Sequence, residues 1–525
     1  MKIVFLDVKT IGEDIDLSAF DALGEVVKYD FSTPKEVRER TKDADVIVLN
    51  KVEINEASIG EAKNLKLVCV TATGTNNLDK EYLAEKGIAW RNVAGYSTET
   101  VAQHTFAMLF YLMEHLPYYD TYVKEEHYIG DTSFTHFAMP FHELAGKTWG
   151  IIGLGNIGKR VADIAKAFGC KVIYYSTSGK NSNPDYNQVS FEELLERADI
   201  VSVHAPLNED TRGLMNKAAF ARMKSSAIFL NVGRGPIVVE ADLEEALREG
   251  QIAAAGLDVL AVEPMSPENP LRKIKDSGKL LITPHIAWAS VEARTRLMEI
   301  IVGQIKEYFF VPKAVIFDLD GTLLDTLEDL KNAVNAALRA YQLPERTLEE
   351  VRRFVGNGIR RLMIQAVPEG EAHPEFEGIM EYFRTYYKEH CTEYTAPYAG
   401  VDYILQTLKD KGIPMGIVSN KFDPGVKALR EEHFGEYIQT AIGELPEVRR
   451  KPEPDMVYKA LEEMGIKVEE AIYIGDSEVD IQTAKNAGLP CICVTWGFRD
   501  RELLVQHGAT KLADTPEELL ALLNL

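Results

Sequence analysis

The sequence predicts an α/β protein made of two fused units, each built on a parallel sheet. Three observations carry this. At 525 residues the chain is too long for one core, because single cores stop growing near roughly 250–300 residues. Apolar strand-like runs alternate with helical patterns nearly throughout, the rhythm of strands joined by helical crossovers. Finally, a long helical stretch at 290–309 is followed almost at once by a new strand, Ala314-Val315-Ile316-Phe317. The junction Phe310-Val311-Pro312-Lys313 holds no Gly/Ser-rich linker, so the units are expected to abut with limited freedom.

In chain order, runs at 2–6, 46–49 and 67–70 read as strands, and 98–111 reads as a long amphipathic helix. A second series of strands follows at 149–153, 172–175, 200–204, 227–231, 256–260 and 280–283, with helices at 159–168 and 191–197 between them. After the strand at 314–317, helical patterns at 327–343, 348–366 and 376–390 run without an intervening strand.

Acidic residues number 81 against 58 basic ones, a formal charge of -23. That balance argues against nucleic acid or an anionic membrane as partner, since both select basic patches. A small anionic substrate must then be held by local cations. The five cysteines, Cys69, Cys170, Cys391, Cys491 and Cys493, are odd in number and scattered in apolar runs, which fits buried reduced thiols. The stretch Met1–Asp7 reads as a short strand rather than a signal segment. No apolar run reaches the roughly 20 residues of a membrane span. A cytoplasmic protein is expected.

Gly153-Leu154-Gly155-Asn156-Ile157-Gly158 follows one of these strands and opens a helix. In that setting the first glycine serves the tight turn, the second lets backbone approach a pyrophosphate, and the third lets helix pack on strand. The helix N-terminus offers free N–H groups to the phosphates. Past the next strand, Ser176-Thr177-Ser178-Gly179-Lys180 contains no acid to hold a ribose 2′-hydroxyl. The hydroxyls and Lys180 lean toward NADP, with NAD left open.

Three further segments, Asn231-Val232-Gly233-Arg234-Gly235, then Gly256-Leu257-Asp258-Val259 with Glu263-Pro264, then Thr283-Pro284-His285-Ile286, stand in an order that resembles the D-isomer-specific 2-hydroxyacid dehydrogenases. The resemblance extends over about 1–310 and takes in Gly74-Thr75-Asn76-Asn77-Leu78-Asp79 and Gly95–Ala102, with Gln103 where the family usually has Glu. It implies a two-domain, Rossmann-type dehydrogenase that reduces a 2-keto acid with NAD or NADP. The residue types suit that reaction. Arg234 offers a planar, permanently charged fork for the substrate carboxylate and carbonyl. His285 can give the proton, and Glu263 would orient its ring and favour its charged form. The resemblance also places Val232, Gly233 and Asp258 with the cofactor contacts, and makes the backbone of Thr73, Gly74 and Thr75 the carboxylate cradle. The overall pattern looks most like hydroxypyruvate/glyoxylate reductases, with Asn50-Lys51 and Trp288 shaping the pocket. Pyruvate stays open as substrate.

Phe317-Asp318-Leu319-Asp320-Gly321-Thr322 lies at the end of the strand that opens the second unit. Two carboxylates at i and i+2 are costly to bury unless a cation neutralises them. Ser419-Asn420-Lys421, Lys451-Pro452 and Gly475-Asp476-Ser477 with Asp480 follow in that order. The set resembles the haloacid-dehalogenase-like phosphatases from about 313 onward. It implies that Asp318 attacks phosphorus, that Asp320 serves as acid and base, and that Mg²⁺ is held by Asp318, the carbonyl of Asp320, and Asp476. Thr322, Ser419, Asn420 and Lys451 would face the transferring phosphoryl group.

The segment Phe354-Val355-Gly356-Asn357-Gly358 with Arg360 and Arg361, and Thr495-Trp496-Gly497-Phe498, resemble phosphoglycolate phosphatases. The alternative for the two arginines is a solvated helix face.

The expected layout is therefore a substrate domain at 1–100 and 286–310, a dinucleotide domain at 101–285, a Rossmannoid phosphatase core at 311–325 and 396–525, and a helical cap at 326–395. The aromatic-rich segment 114–144 is expected to make a homodimer through the dehydrogenase half. The competing reading is a dinucleotide-sensing scaffold joined to a phosphatase or phosphomutase of other substrate.

Overall fold

The computed structural model describes residues 1–525 apart from 180, 181 and 357. The chain divides into two compact units, Met1–Tyr308 and Phe309–Leu525.

Three parallel sheets carry the architecture. The first unit opens with a five-stranded sheet in the order Glu25–Lys28, Lys2–Phe5, Val46–Leu49, Leu67–Val70, Ala89–Arg91. The strands VIVL and LVCV are buried at every position, as expected of parallel strands covered on both faces. A seven-stranded sheet follows, ordered Leu280–Ile282, Ala254–Leu257, Ile228–Asn231, Ile200–Val203, Thr148–Ile152, Lys171–Tyr175, Asn187–Gln188. From Thr148–Ile152 the chain first builds outward to one side, then crosses to the other. The turn after that strand is therefore the point where strand order reverses, the place where parallel sheets bind ligands.

The helix Thr98–Met113 shares a core with Trp149, Ile151 and Val161 through Val101, Phe106, Leu109 and Leu112. The expected boundary at 100/101 thus falls inside a helix that packs with the dinucleotide sheet. The helix Val291–Tyr308 returns to the first sheet, against Leu67–Val70.

The second unit has a six-stranded parallel sheet ordered Thr440–Glu444, Met415–Phe422, Ala314–Phe317, Ala471–Gly475, Cys491–Val494, Leu512–Ala513. Ala314–Phe317 is again the strand at which the order reverses. The cap leaves and returns through a small antiparallel pair, Leu324–Asp325 with Ala396–Pro397. It has its own core, including Leu330, Val334, Leu362, Met380 and Phe383.

One helix differs from expectation. The pattern at 348–366 forms two helices, Leu348–Phe354 and Ile359–Ala366. Gly356 and Gly358 between them take φ of +119° and +81°, a region closed to a continuing helix. All five cysteines are free, and Cys69, Cys170 and Cys493 are buried. Among the described residues no helix is long and apolar enough to cross a membrane.

Two candidate active sites

In the glycine turn of the first unit, the three glycines differ in their surroundings. A methyl group on Gly153, whose φ is +92°, would stand 2.8 Å from the backbone of Ala205. On Gly158 it would collide with the carbonyl of Gly153, where helix meets strand. On Gly155 it would meet nothing within 4 Å. The middle glycine thus faces open space at the start of the helix Asn156–Ala167, whose N-cap has no side-chain hydrogen bond. The first N–H groups there, from Asn156 and Ile157 onward, are available for phosphate. Ser176 is buried at the end of the next strand. Lys180 lies outside the described residues.

Asn231 builds the next turn. Its Oδ1 accepts from the Gly233 N–H at 3.0 Å and its Nδ2 donates to the Arg234 carbonyl at 3.1 Å. Val232 is buried, and Gly233 packs on the carbonyls of Val203 and Ala205. The Arg234 guanidinium donates to the Gly233 carbonyl at 2.8 Å. It makes no ion pair with a carboxylate among the described residues, and it approaches Gly74 closely enough that a Cβ there would lie 3.3 Å from its Nη2. Arg234 and the Thr73–Thr75 backbone therefore share one site. Thr73 itself uses its hydroxyl on the Val93 carbonyl, which leaves the backbone as its possible contribution. Tyr96 also faces Arg234; burial pushes its phenol up to about 12, with the guanidinium acting in the opposite direction. Trp288 packs edge-on against Tyr96.

His285 has a left-handed backbone, φ 53°. Asp258 holds it there. Its carboxylate accepts from the N–H groups of Ile286 and Ala287, both at 2.9 Å, and from the Thr283 hydroxyl at 2.6 Å. The Thr283 hydroxyl in turn bonds His104 Nε2 at 3.0 Å. Asp258 was expected among the cofactor contacts. Its oxygens are occupied in shaping the turn that presents His285. The ring's Nδ1 pairs with Glu263 Oε2 at 2.7 Å, while Glu263 Oε1 accepts from the Leu260 N–H. Burial alone would raise Glu263, but His285 and the Leu260 N–H outweigh it and hold the carboxyl below its usual range. Nε2 of His285 has no partner among the described residues.

The loop Asn50-Lys51 joins this site because the buried Asp7 accepts from both its N–H groups. Lys51 is near enough to contribute to the lowering of Glu263. Asp7 and His104 were not anticipated, and Asn231 and Tyr96 stood within the matching motifs without an assigned role. For Asp7 the visible signal was an acid at a strand end.

In the second unit Asp318, Asp476 and Asp480 are all buried and bring carboxylate oxygens within 4.8 Å of one another. Lys451 sits among them, 2.8 Å from Asp318 and 2.7 Å from Asp480. Burial opposes its charge, but the two carboxylates outweigh that and hold it well above an ordinary lysine. Burial, reinforced by neighbouring acids, pushes Asp318 well up and Asp476 up to about 7. Three acids against one ammonium leave negative charge that a divalent cation would offset.

Asp480 is already engaged by Lys451, Tyr473, and the Ser477 N–H and hydroxyl. Asp318 is the less occupied carboxylate, its contacts from the Leu319 N–H and Lys451 both falling on Oδ1. Glycine is required beside the acids, since a Cβ on Gly321 would stand 2.5 Å from Asp476. The Asp476 carboxylate also accepts from the Phe498 N–H at 2.7 Å and from the Thr322 hydroxyl at 3.2 Å.

Asp320 turns away from this cluster. Its carboxylate meets Ser419 Oγ at 3.3 Å and Lys421 Nζ at 3.1 Å, so that side chain is not among the clustered acids. Asn420, expected to face substrate, spends both ends of its amide on the backbone of Lys451 and so positions that lysine. Arg360 is committed to Glu371 and Glu377, the solvated-face alternative. Asn357 lies outside the described residues. Lys421 and its cap partner Tyr387 were not anticipated as site residues.

These two sites define a nicotinamide-dependent dehydrogenase and a phosphoryl-transfer hydrolase. The comparisons agree. Residues 106–287 match the model of the D-isomer specific 2-hydroxyacid dehydrogenase NAD binding domain, and residues 315–494 match that of the haloacid dehalogenase-like hydrolases. A hydroxypyruvate reductase from Blautia hydrogenotrophica is 39% identical over 315 residues, 59% of this chain and 97% of that protein. The solved structure of a D-lactate dehydrogenase from Aquifex aeolicus, complexed with NAD and lactic acid, is 27% identical, covering 58% of this chain and 95% of that one, with a TM-score of 0.51. The structure of a candidate phosphoglycolate phosphatase from Lactobacillus delbrueckii subsp. bulgaricus is 36% identical, covering 40% of this chain and 97% of that one, with a TM-score of 0.39. The chain belongs to the D-isomer specific 2-hydroxyacid dehydrogenases and carries, fused to that unit, a haloacid dehalogenase-like hydrolase.

Proposed function

We propose that the chain is a bifunctional enzyme. Its first unit reduces hydroxypyruvate or glyoxylate with NADH or NADPH, and its second hydrolyses a small phosphate monoester of the 2-phosphoglycolate type. The observation that carries the first activity is an arginine without a carboxylate partner, beside Gly74, in the same unit as an imidazole paired to Glu263. Arg234 and the backbone N–H groups of the Thr73–Thr75 segment would hold the keto acid's carboxylate. A bound nicotinamide would supply the hydride to the carbonyl carbon. His285 would give its Nε2 proton to the carbonyl oxygen, leaving the D-2-hydroxy acid. The similarity to a hydroxypyruvate reductase supports the choice of substrate.

For the second activity, Asp318 would attack phosphorus while Asp320 protonates the leaving alkoxide. Asp320 would then take a proton from water as that water cleaves the aspartyl-phosphate, releasing inorganic phosphate and restoring Asp318. Mg²⁺ held by Asp318, Asp476 and the Asp320 carbonyl would offset charge on the phosphoryl oxygens. Lys451 and Ser419 would hold those oxygens from the protein side. The expected domain limits are proposed as working boundaries, except that the helix Thr98–Met113 stays whole with the dinucleotide domain.

Assays of the purified protein with hydroxypyruvate, glyoxylate and 2-phosphoglycolate, with and without Mg²⁺, test both halves. Tight dinucleotide binding without turnover would favour a sensing scaffold.

We further propose a homodimer through the segment after Glu114. Ile129, Phe134, Phe137 and Phe141 are 75%, 88%, 82% and 55% exposed there, an apolar surface unusual on a monomer. A second copy is the expected cover, and a monomer in sedimentation at micromolar concentration would sink this. Free cysteines are consistent with a reducing, cytoplasmic setting.

A further inference from the structure

The phosphatase site contains a second lysine that the phosphoryl chemistry above does not use. Lys421 follows Ser419-Asn420 on the strand Met415–Phe422, and its side chain is 9% exposed. Its ammonium donates to Asp320 Oδ1 at 3.1 Å and to the Tyr387 hydroxyl at 2.7 Å. Tyr387 comes from the cap helix Phe376–His390, where its ring stacks on Phe383. Lys451, in contrast, pairs with Asp318 and Asp480. An ammonium has three donors. Two of those on Lys421 are used, and the third has no partner among the described residues.

We propose that Lys421 seats a second anionic group of the substrate, so that the site selects phosphate monoesters bearing a carboxylate near the ester oxygen. The inference rests on reading Asp320 as the residue that reaches that bridging oxygen. Lys421 touches Asp320, so it stands next to whatever Asp320 holds. In a phosphorylated 2-hydroxy acid the carboxylate carbon is two bonds from the bridging oxygen and falls within the lysine's reach. Tyr387 fixes the ammonium from the cap side, so recognition is shared between core and cap. A neutral ester of the same size offers the third donor nothing.

The test measures phosphate release by the full-length protein from 2-phosphoglycolate and from ethyl phosphate, in wild type, Lys421→Met, Lys421→Arg and Tyr387→Phe. Wild type is expected to favour the carboxylate ester in kcat/KM by about 10-fold or more, the size of one charge-assisted hydrogen bond. Lys421→Met should bring that ratio toward one, Lys421→Arg should keep most of it, and Tyr387→Phe should reduce it partly. Tyr387→Phe leaves the lysine in place and gives the readout even if Lys421→Met does not fold. A ratio unchanged in Lys421→Met, or no discrimination in wild type, overturns the assignment of Lys421 alone. Release from neither ester overturns the phosphatase reading on which it stands.

Discussion

At the residue scale, the dehydrogenase site depends on one carboxylate beside one imidazole. The lowered pKa of Glu263 sets the sign of its pH dependence. A depressed carboxyl contributes its pairing above the ordinary glutamate range and loses it as pH falls through the lowered value. The pair with His285 therefore persists from neutral into mildly acidic solution. In Glu263→Gln the amide can still orient the ring but carries no charge to pair with it. Reduction, measured as kcat/KM at about pH 7, should fall about tenfold or more; an unchanged rate would separate Glu263 from the proton transfer. The glycine turn gives a second residue-scale prediction. Gly155 has φ -78°, which alanine accepts, and open space where a Cβ would go. Gly155→Ala should keep its folding stability within about 1 kcal/mol yet weaken dinucleotide binding at least tenfold, read from nucleotide fluorescence. Equal affinity would show that the pyrophosphate lies elsewhere.

At the element scale, one arginine ties the cap to the loop that holds Asp476. Arg499 is buried, pairs with Glu478 at 2.8 Å, and donates to the carbonyls of Arg352 and Val355. Those carbonyls belong to the end of the helix Leu348–Phe354, where backbone acceptors lack helical partners and a cation is favoured. Arg352 returns the contact to Asp500 at 2.9 Å. The same loop sends the Phe498 N–H to Asp476. Arg499→Met leaves Glu478 and two carbonyls without their cation. The expected cost is about 3–5 kcal/mol, a fall of roughly 6–20 °C in the melting temperature of the second unit. A shift under 2 °C would mean that the contact carries little of the cap's attachment.

This contact also shows where sequence reading stops. The strands around Gly153 and Asp318 were legible because buried parallel strands appear as unbroken apolar runs ending in glycine or acid. The helix Phe376–His390 was legible from its apolar period. The break at Gly356–Gly358 was not, because two glycines inside an otherwise periodic stretch weaken a helix without specifying its interruption. Arg499 to Arg352, Lys421 to Tyr387 and Asp7 to Lys51 are contacts between segments distant in sequence, and periodicity carries no record of such partners.

At the scale of the whole molecule, each candidate site is supplied by one unit alone. Gly74, the Gly153 turn, Arg234, Asp258, Glu263 and His285 all fall within Met1–Tyr308, and Asp318, Asp320, Lys451, Asp476 and Asp480 within Phe309–Leu525. Each unit also has its own buried clusters, so neither draws on the other to complete a core. Single substitutions should therefore separate the two activities in the intact chain. His285→Gln removes the proposed proton donor and should lower keto-acid reduction by about 10²–10⁴-fold, with NADH binding and phosphate release retained. Asp318→Asn removes the proposed nucleophile and should abolish phosphate release while leaving reduction unchanged. Asn is close in shape to Asp, and Gln replaces an imidazole that is part-exposed, so neither change should unfold its unit. The decisive comparison is the full two-by-two set of rates in one buffer. If either substitution depresses both reactions, the sites are energetically linked, and the proposal of two self-contained active centres in one chain fails.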